Sequence, residues 1–379
     1  MQQHYIEDQK SLNDLCEQLS HSKILAVDTE FVRTRTLFPK LGLLQVCNGE
    51  HLALIDPIFI ADLSAFWQLM TDASITKVLH ACSEDLEVLL TCANCRPVNV
   101  IDTQIMMSFL GHGLSLGYAA MVEHYLQVSL DKSESRTDWT KRPLSAKQLD
   151  YARADVSYLF QLYPKIEQDL SASGWLAAAL QETELLITKK FTPIIEEQLY
   201  RNIKMAWRLN PKQLLLLQQL AIWRYQQAKK KDIPIGFVAK DHTLMAVAQF
   251  HPKSVGAMGS LPGIELLDVR HRGKAMLAVL KKAEQMSDAY YPKKLLRLDE
   301  YPGYKQIFKK VKKFITEQAE LADLKVENLA SKKQINQFLS WHFDINEAKQ
   351  ELNSVDLLAG WRLDLVGEKL QQFANSSFN

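Results

Sequence analysis

Two acids one residue apart, Asp28-Thr29-Glu30, follow directly on the apolar run Ile24-Leu25-Ala26-Val27. In a strand, residues two apart share a face. Carboxylates side by side repel and raise each other's pKa unless a cation lies between them. Two readings fit: a divalent metal held at a strand end, or an exposed strand end with two solvated acids. Tyr151-Ala152-Arg153-Ala154-Asp155 sets a phenol and a carboxylate four apart, the spacing of one helix face. Ordinary helix surface would look the same. In His80-Ala81-Cys82-Ser83-Glu84-Asp85-Leu86, Ser83 reads as an N-cap. That puts Asp85 in the first turn of a helix, where the dipole favours a charged carboxylate. Structural acids are common there too.

The elements that must position these residues are legible in outline. Strands are expected at 24–27, 43–47, 52–55, 77–80 and 98–101. Asn48-Gly49 marks a tight turn of an antiparallel hairpin. Helices are expected at 63–70, at 83–90, and from the capping box Ser145-Ala146-Lys147-Gln148 toward Leu162, with Pro164 just beyond. An antiparallel start followed by alternating strands and helices indicates a mixed sheet flanked by helices. From about residue 176 strand signals vanish. Pro211, Ile233-Pro234, Pro252 and Pro262-Gly263 cut an apolar stretch into short helices, and the last 80 or so residues repeat the style. Trp223-Arg224 and Trp361-Arg362 share a dipeptide at different places in the two units.

At 379 residues the chain is long enough for two or three domains. No apolar run reaches the roughly 20 residues of a membrane span. Met1 to Asp8 lacks the basic and apolar stretches of a signal peptide. A cytoplasmic protein with no membrane association is the expectation. Five cysteines, Cys16, Cys47, Cys82, Cys92 and Cys95, do not suggest a disulfide scaffold. Cys92-Ala93-Asn94-Cys95 has no second pair to complete a zinc site, and idle or buried thiols are the simpler reading.

The net charge of +1 conceals a dipole. Residues 1–175 carry 14 Lys and Arg against 22 Asp and Glu, whereas residues 200–300 carry 18 against 8. The basic middle suits a polyanion.

Asp28, Glu30, Asp85, Tyr151 and Asp155, in this order and at these element ends, resemble the three exonuclease motifs of the DEDD superfamily. The tyrosine four before the last aspartate resembles the subclass that includes ribonuclease D. Val27 to Arg33, Lys132 to Trp139, and Arg142-Pro143-Leu144-Ser145 leading to Gln148 through Ala152 are similar to the ribonuclease D family. The basic unit, Trp223-Arg224 through Asp232-Ile233-Pro234, resembles the helical domain shared by RecQ-type helicases and ribonuclease D (HRDC), and the tail resembles a more divergent copy. The resemblance spans nearly the whole chain.

It implies a ribonuclease-H-like α/β exonuclease domain with a mixed sheet over 1–175, a helical linker over 176–209, and two all-α bundles over 210–290 and 295–375. It further implies a 3′→5′ exoribonuclease acting on transfer-RNA precursors and other small structured RNAs, a monomer releasing 5′-mononucleotides. Two divalent ions, Mg²⁺ or Mn²⁺, about 4 Å apart would serve it. By the family pattern Asp28 bridges them, Glu30 and Asp155 complete the ion that activates water, and Asp85 holds the second through water. Tyr151 orients the attacking water.

RNA contacts are open at Phe31, Arg136, Lys141 and Arg142 in the front, and at Lys229, Lys230, Lys231, Arg270, Arg272, Lys274, Lys281 and Lys282 in the basic middle. A core position for Phe31 and solvated faces for the others are the alternatives. His80 reads as a hydrogen-bonded strand-end histidine rather than a base, and Trp139 as a packing residue. A DNA exonuclease shares the metal chemistry. A non-catalytic RNA-binding module is a third reading, against which the intact set of five residues counts.

Overall fold

The computed structural model describes residues 1–131, 133–349 and 355–378. Lys132, the first residue of the Lys132–Trp139 motif, lies outside the described residues. The catalytic half runs β1 (Gln2–Ile6), α1 (Gln9–Leu19), β2 (Ile24–Val32), β3 (Lys40–Cys47), β4 (His51–Ile55), α2 (Ser64–Thr71), β5 (Thr76–Leu79), α3 (Ser83–Ala93), β6 (Val100–Asp102), α4 (Thr103–Met107), α5 (Tyr118–Leu126) and α6 (Ala146–Ser173). The sheet order is β1-β4-β3-β2-β5-β6. β3 is antiparallel to both neighbours, and the β1–β4, β2–β5 and β5–β6 pairs are parallel. This is the expected mixed sheet.

The hairpin forms where Asn48-Gly49 placed it. Gly49 takes a φ of +90°, and the Asn48 side chain accepts from the backbone N–H of Glu50 at 3.0 Å and His51 at 2.7 Å. β1 is an addition to the expected strands. Its residues are mostly exposed, so no apolar alternation announces it.

β2 alternates as a strand covered on both faces must. Leu25 and Val27 enter a core with α1, α2 and α3, and Ala26 enters the opposite core with Ala152, Val156 and Leu159 of α6. The same alternation carries Asp28 and Glu30 to the α6 side. The Ser145–Gln148 capping box opens α6 as expected. The helix does not stop before Pro164 but runs to Ser173. Proline forfeits one helical hydrogen bond, yet Ile166 and Leu170 beyond it are buried in the same core, and packing holds the helix together. It ends at Gly174, left-handed at φ +79°.

After α7 (Leu176–Phe191) every element among the described residues is helical, as expected. The first bundle comprises α8 (Pro211–Lys231), α9 (Ile235–Val238), α10 (Asp241–Phe250), α11 (Val255–Gly259) and α12 (Leu266–Ala283). Its core, Tyr200 to Ala283, is a cluster of its own. The second comprises α13 (Tyr304–Leu321), α14 (Val326–Leu329), α15 (Lys332–His342), α16 (Gly360–Arg362) and α17 (Glu368–Ser377). Its core is continuous with that of the catalytic half. Trp361 meets Phe109 and Trp175 with ring centroids 5.4 and 5.9 Å apart. Among the described residues no helix is long and apolar enough to cross a membrane.

Candidate active site

Three of the four carboxylates expected at one site, Asp28, Glu30 and Asp155, converge, and Asp85 stands outside that cluster. One oxygen each from Asp28, Glu30 and Asp155 lies within 4.8 Å of the other two. Asp28 and Glu30 come from β2 and Asp155 from α6, which packs across that face of the sheet. Asp85 sits in the first turn of α3, buried, with its Oδ1 accepting from the Thr29 hydroxyl at 2.5 Å. Thr29 points away from its two acidic neighbours, so β2 addresses Asp85 from the opposite side.

Burial is the chief cause raising the pKa of all four carboxyls. The neighbouring acids push Asp28 and Glu30 further up: Asp155 and Asp85 act on both, and Glu30 also acts on Asp28. A hydrogen bond from Thr29 opposes the rise at Asp85, and one from Tyr151 opposes it at Asp155. Burial and the adjacent carboxylates raise the Tyr151 phenol far above its ordinary value. An all-oxygen, mutually repelling donor set fits a hard divalent cation, which would remove the repulsion.

Several residues that support this geometry carry no local sequence signal. Asp102 at the end of β6 accepts from the N–H groups of Ala81 and Cys82, both at 2.9 Å, and of Gln104 at 2.8 Å. It thereby shapes the turn from β5 into α3. Ser83 is not the N-cap: Cys82 occupies that position without a side-chain capping bond, and the distant Asp102 satisfies the turn instead. Tyr118 donates its hydroxyl toward the backbone carbonyls of Ala154 at 2.9 Å and Asp155 at 2.6 Å. Gln45, directly opposite Asp28 in the β2–β3 register, is buried with no hydrogen-bond partner on either side-chain atom. A polar amide thus lines the carboxylate side of β3.

His80 is hydrogen-bonded as expected, with Nδ1 2.9 Å from the Thr103 hydroxyl and Nε2 3.0 Å from the Leu116 carbonyl. Trp139 is buried. Arg142 is not available to a phosphate. Its guanidinium donates to both carboxylate oxygens of the fully buried Asp56, to the Gly42 carbonyl at 2.6 Å and to the Trp139 carbonyl at 2.9 Å. A buried carboxylate needs such a partner, and that need claims the arginine. Phe31 is half-buried beside the β-bulge at Glu30/Phe31. Arg136, Lys141, Lys229, Lys230, Lys231, Arg270, Lys274, Lys281 and Lys282 are exposed and Arg272 is half-buried. A cavity of about 470 Å³ opens beside Tyr151 and Asp155, lined also by Tyr118, Leu130 and Lys147.

Comparison with known proteins identifies the family. Residues 3–171 match the model of a 3′-5′ exonuclease family, residues 213–280 the HRDC domain, and residues 302–370 the C-terminal HRDC domain of ribonuclease D. The chain is 44% identical to ribonuclease D of Escherichia coli over 360 residues, 95% of each chain. It is 33% identical to that of Pseudomonas paraeruginosa over 97% of this chain and 96% of the other. The crystal structure of E. coli RNase D, described as an exoribonuclease involved in structured RNA processing, superposes with a TM-score of 0.94 at 42% identity over the full length of both chains. The catalytic core of Trypanosoma brucei RRP6 shares the fold at 23% identity and a TM-score of 0.57, over 75% of this chain and 80% of the other. With matches over its whole length and a tyrosine beside converging carboxylates, the chain belongs to the ribonuclease D family of divalent-metal-dependent 3′→5′ exoribonucleases.

Proposed function

We propose that this enzyme trims the 3′ ends of transfer-RNA precursors and other small structured RNAs, in the cytoplasm and as a monomer, releasing 5′-mononucleotides. The observation that carries the reading is the convergence of Asp28, Glu30 and Asp155 within 4.8 Å. Two divalent ions, Mg²⁺ or Mn²⁺, held there would generate the nucleophile at neutral pH and neutralise charge on the leaving oxygen.

Asp28, Glu30 and Asp155 would hold one ion, with Asp28 shared, and Asp85 would hold the other. Tyr151 keeps its proton at neutral pH, so its hydroxyl serves by orienting the attacking water. Thr29 fixes the Asp85 carboxylate, and Tyr118 fixes the turn of α6 that presents Asp155. Asp102 sets the start of α3. The chain's part in the reaction is thus largely positional.

The exposed lysines and arginines of the first bundle supply attraction that an acidic catalytic half lacks. We assign the body of the RNA to that bundle, and the 3′ end to the carboxylates. Lys229, Lys230, Lys231, Arg270, Arg272 and Lys274 are the residues we assign to phosphate contacts there; in the front half we assign phosphate contacts to Arg136 and Lys141, and stacking on the terminal base to Phe31.

The test is to incubate a 3′-extended transfer RNA and a DNA strand of matched sequence with the protein in Mg²⁺ or Mn²⁺, and to resolve products nucleotide by nucleotide. The expected result is a ladder descending one nucleotide at a time from the RNA 3′ end, with 5′-mononucleotides released and activity abolished by chelator. Equal trimming of the DNA would overturn the substrate assignment. RNA binding without cleavage would leave a binding module.

A further inference from the structure

We propose that Asp232 is a positioning residue, a latch that holds the first helical bundle against the loop leaving the catalytic strand. Asp232 follows Lys229-Lys230-Lys231 at the end of α8. It caps that helix in a left-handed conformation, φ 47° and ψ 54°, with its own N–H directed to the carbonyls of Ala228 and Lys229. Its side chain makes a different connection. Oδ1 accepts from the backbone N–H of Leu37 and of Phe38, each at 3.0 Å, across 195 and 194 residues of chain. Two successive amides aimed at one carboxylate oxygen form a small anion-binding concavity, and hydrogen bonds to a charged acceptor are among the stronger ones.

Leu37 and Phe38 lie in the segment between β2 and β3, a few residues beyond Glu30. Thr36 steadies that segment by donating its hydroxyl to the Phe38 carbonyl at 2.6 Å. One end of the latch therefore continues the strand that carries Asp28 and Glu30, and the other adjoins three exposed lysines. The two bundles are attached by contrasting means. The second shares an apolar core with the catalytic half, whereas the core of the first is a separate cluster. A unit without a shared apolar core is free to shift as a body unless polar contacts fix it. Asp232 supplies such a contact, and so sets where Lys229, Lys230 and Lys231 stand relative to the active-site mouth. The functional consequence rests on the reading that this bundle holds the body of the RNA.

Two substitutions separate the latch from the helix cap. Asp232→Gly keeps the left-handed backbone and removes the acceptor. Asp232→Asn keeps an acceptor oxygen and also tolerates that backbone. Amide hydrogen exchange is read at Leu37 and Phe38 in the full chain. KM and kcat are read on a transfer RNA with a 3′ extension and on a short single strand, both with Mg²⁺. For Asp232→Gly we expect exchange at the two amides to accelerate about tenfold or more, the scale of one charge-assisted hydrogen bond. KM for the structured RNA should rise by a similar factor, and both constants on the short strand should stay within about twofold. Asp232→Asn should recover most of both losses.

Unchanged exchange in Asp232→Gly would overturn the latch itself. Faster exchange with unchanged KM on structured RNA would overturn its positioning role, as would equal losses on the two substrates. Replacing Lys229, Lys230 and Lys231 together by glutamine, in otherwise intact protein, tells the two readings apart. If that raises KM for structured RNA while Asp232→Gly does not, only the latch falls. If it changes nothing, the RNA-holding role of these lysines falls, and the latch's functional consequence with it.

Discussion

Glu182 and Arg362 meet across 180 residues of chain, both carboxylate oxygens of Glu182 accepting from the Arg362 guanidinium. The Trp361 indole N–H donates to the same carboxylate at 2.8 Å. Arg362 also donates to the carbonyls of Leu329 at 2.7 Å and Asn328 at 2.8 Å, and its side chain is only 5% exposed. α7 and α16 are joined by this cluster. Removing one partner of a buried pair leaves the other charge uncompensated, a larger loss than the pair's net worth. Glu182→Ala should therefore lower unfolding stability by about 3 kcal/mol. Denaturant titration checks it, and a loss under about 0.5 kcal/mol would mean that water reaches Arg362 in the variant.

Asp155→Asn should abolish hydrolysis while the fold and much of the RNA affinity persist. The amide matches the carboxylate in shape but lacks the charge a cation needs. Rate measurements at saturating Mg²⁺, beside circular dichroism and a binding isotherm, test this. Cleavage at the normal rate would remove Asp155 from the ligand set.

Tyr151→Phe removes one hydroxyl and keeps the ring. Turnover should fall by about 10²- to 10⁴-fold, the range for one positioned group at the reacting water, with metal affinity nearly unchanged. The hydroxyl also lowers the pKa of Asp155 through a hydrogen bond. Its loss should move the acid limb of the pH–rate profile to higher pH. A parallel fall in metal affinity and rate would place the tyrosine in the ion site itself.

The pKa of each of the four carboxyls is raised in the folded chain. Unfolded, these groups titrate near pH 4. The folded state holds their protons more tightly, so their contribution to stability is complete below about pH 4 and is lost as pH rises through the raised folded values. A divalent cation takes the place of those protons. The rise in melting temperature on adding Mg²⁺ or Mn²⁺ should accordingly be larger at pH 8 than at pH 6. Equal rises at both pH values would show that the ion does not bind at these groups.

Legibility in the sequence followed locality. The acid pair of Asp28 and Glu30 stood out because two charges ending an apolar strand contradict their surroundings. Asn48-Gly49 and the Ser145 capping box were readable because turn and cap chemistry is confined to a few neighbouring residues. The partners of these features were not readable. Thr29 meets Asp85 at a separation of 56 residues and Arg142 meets Asp56 at 86, and no spacing rule joins residues so far apart. Arg142 therefore looked like a phosphate ligand when a buried carboxylate had already claimed it. β1 escaped because an exposed edge strand has no apolar face to display. Pro164 misled because the cost of a proline is local, whereas the packing that outweighs it comes from the rest of the fold.

The continuity of one apolar core from the sheet to α17 also orders events during synthesis. Trp361, which packs on Phe109 and Trp175, leaves a ribosome 186 residues after Trp175 (361 − 175). Chains lengthen by about 5–20 residues per second, and early domains generally fold first. Here the nuclease half must wait many seconds with that surface uncovered, while the first bundle, with a core of its own, can fold in the interval. A nascent chain cut short before Trp361 would keep every carboxylate of the active site and still expose the aromatic patch that the full chain covers.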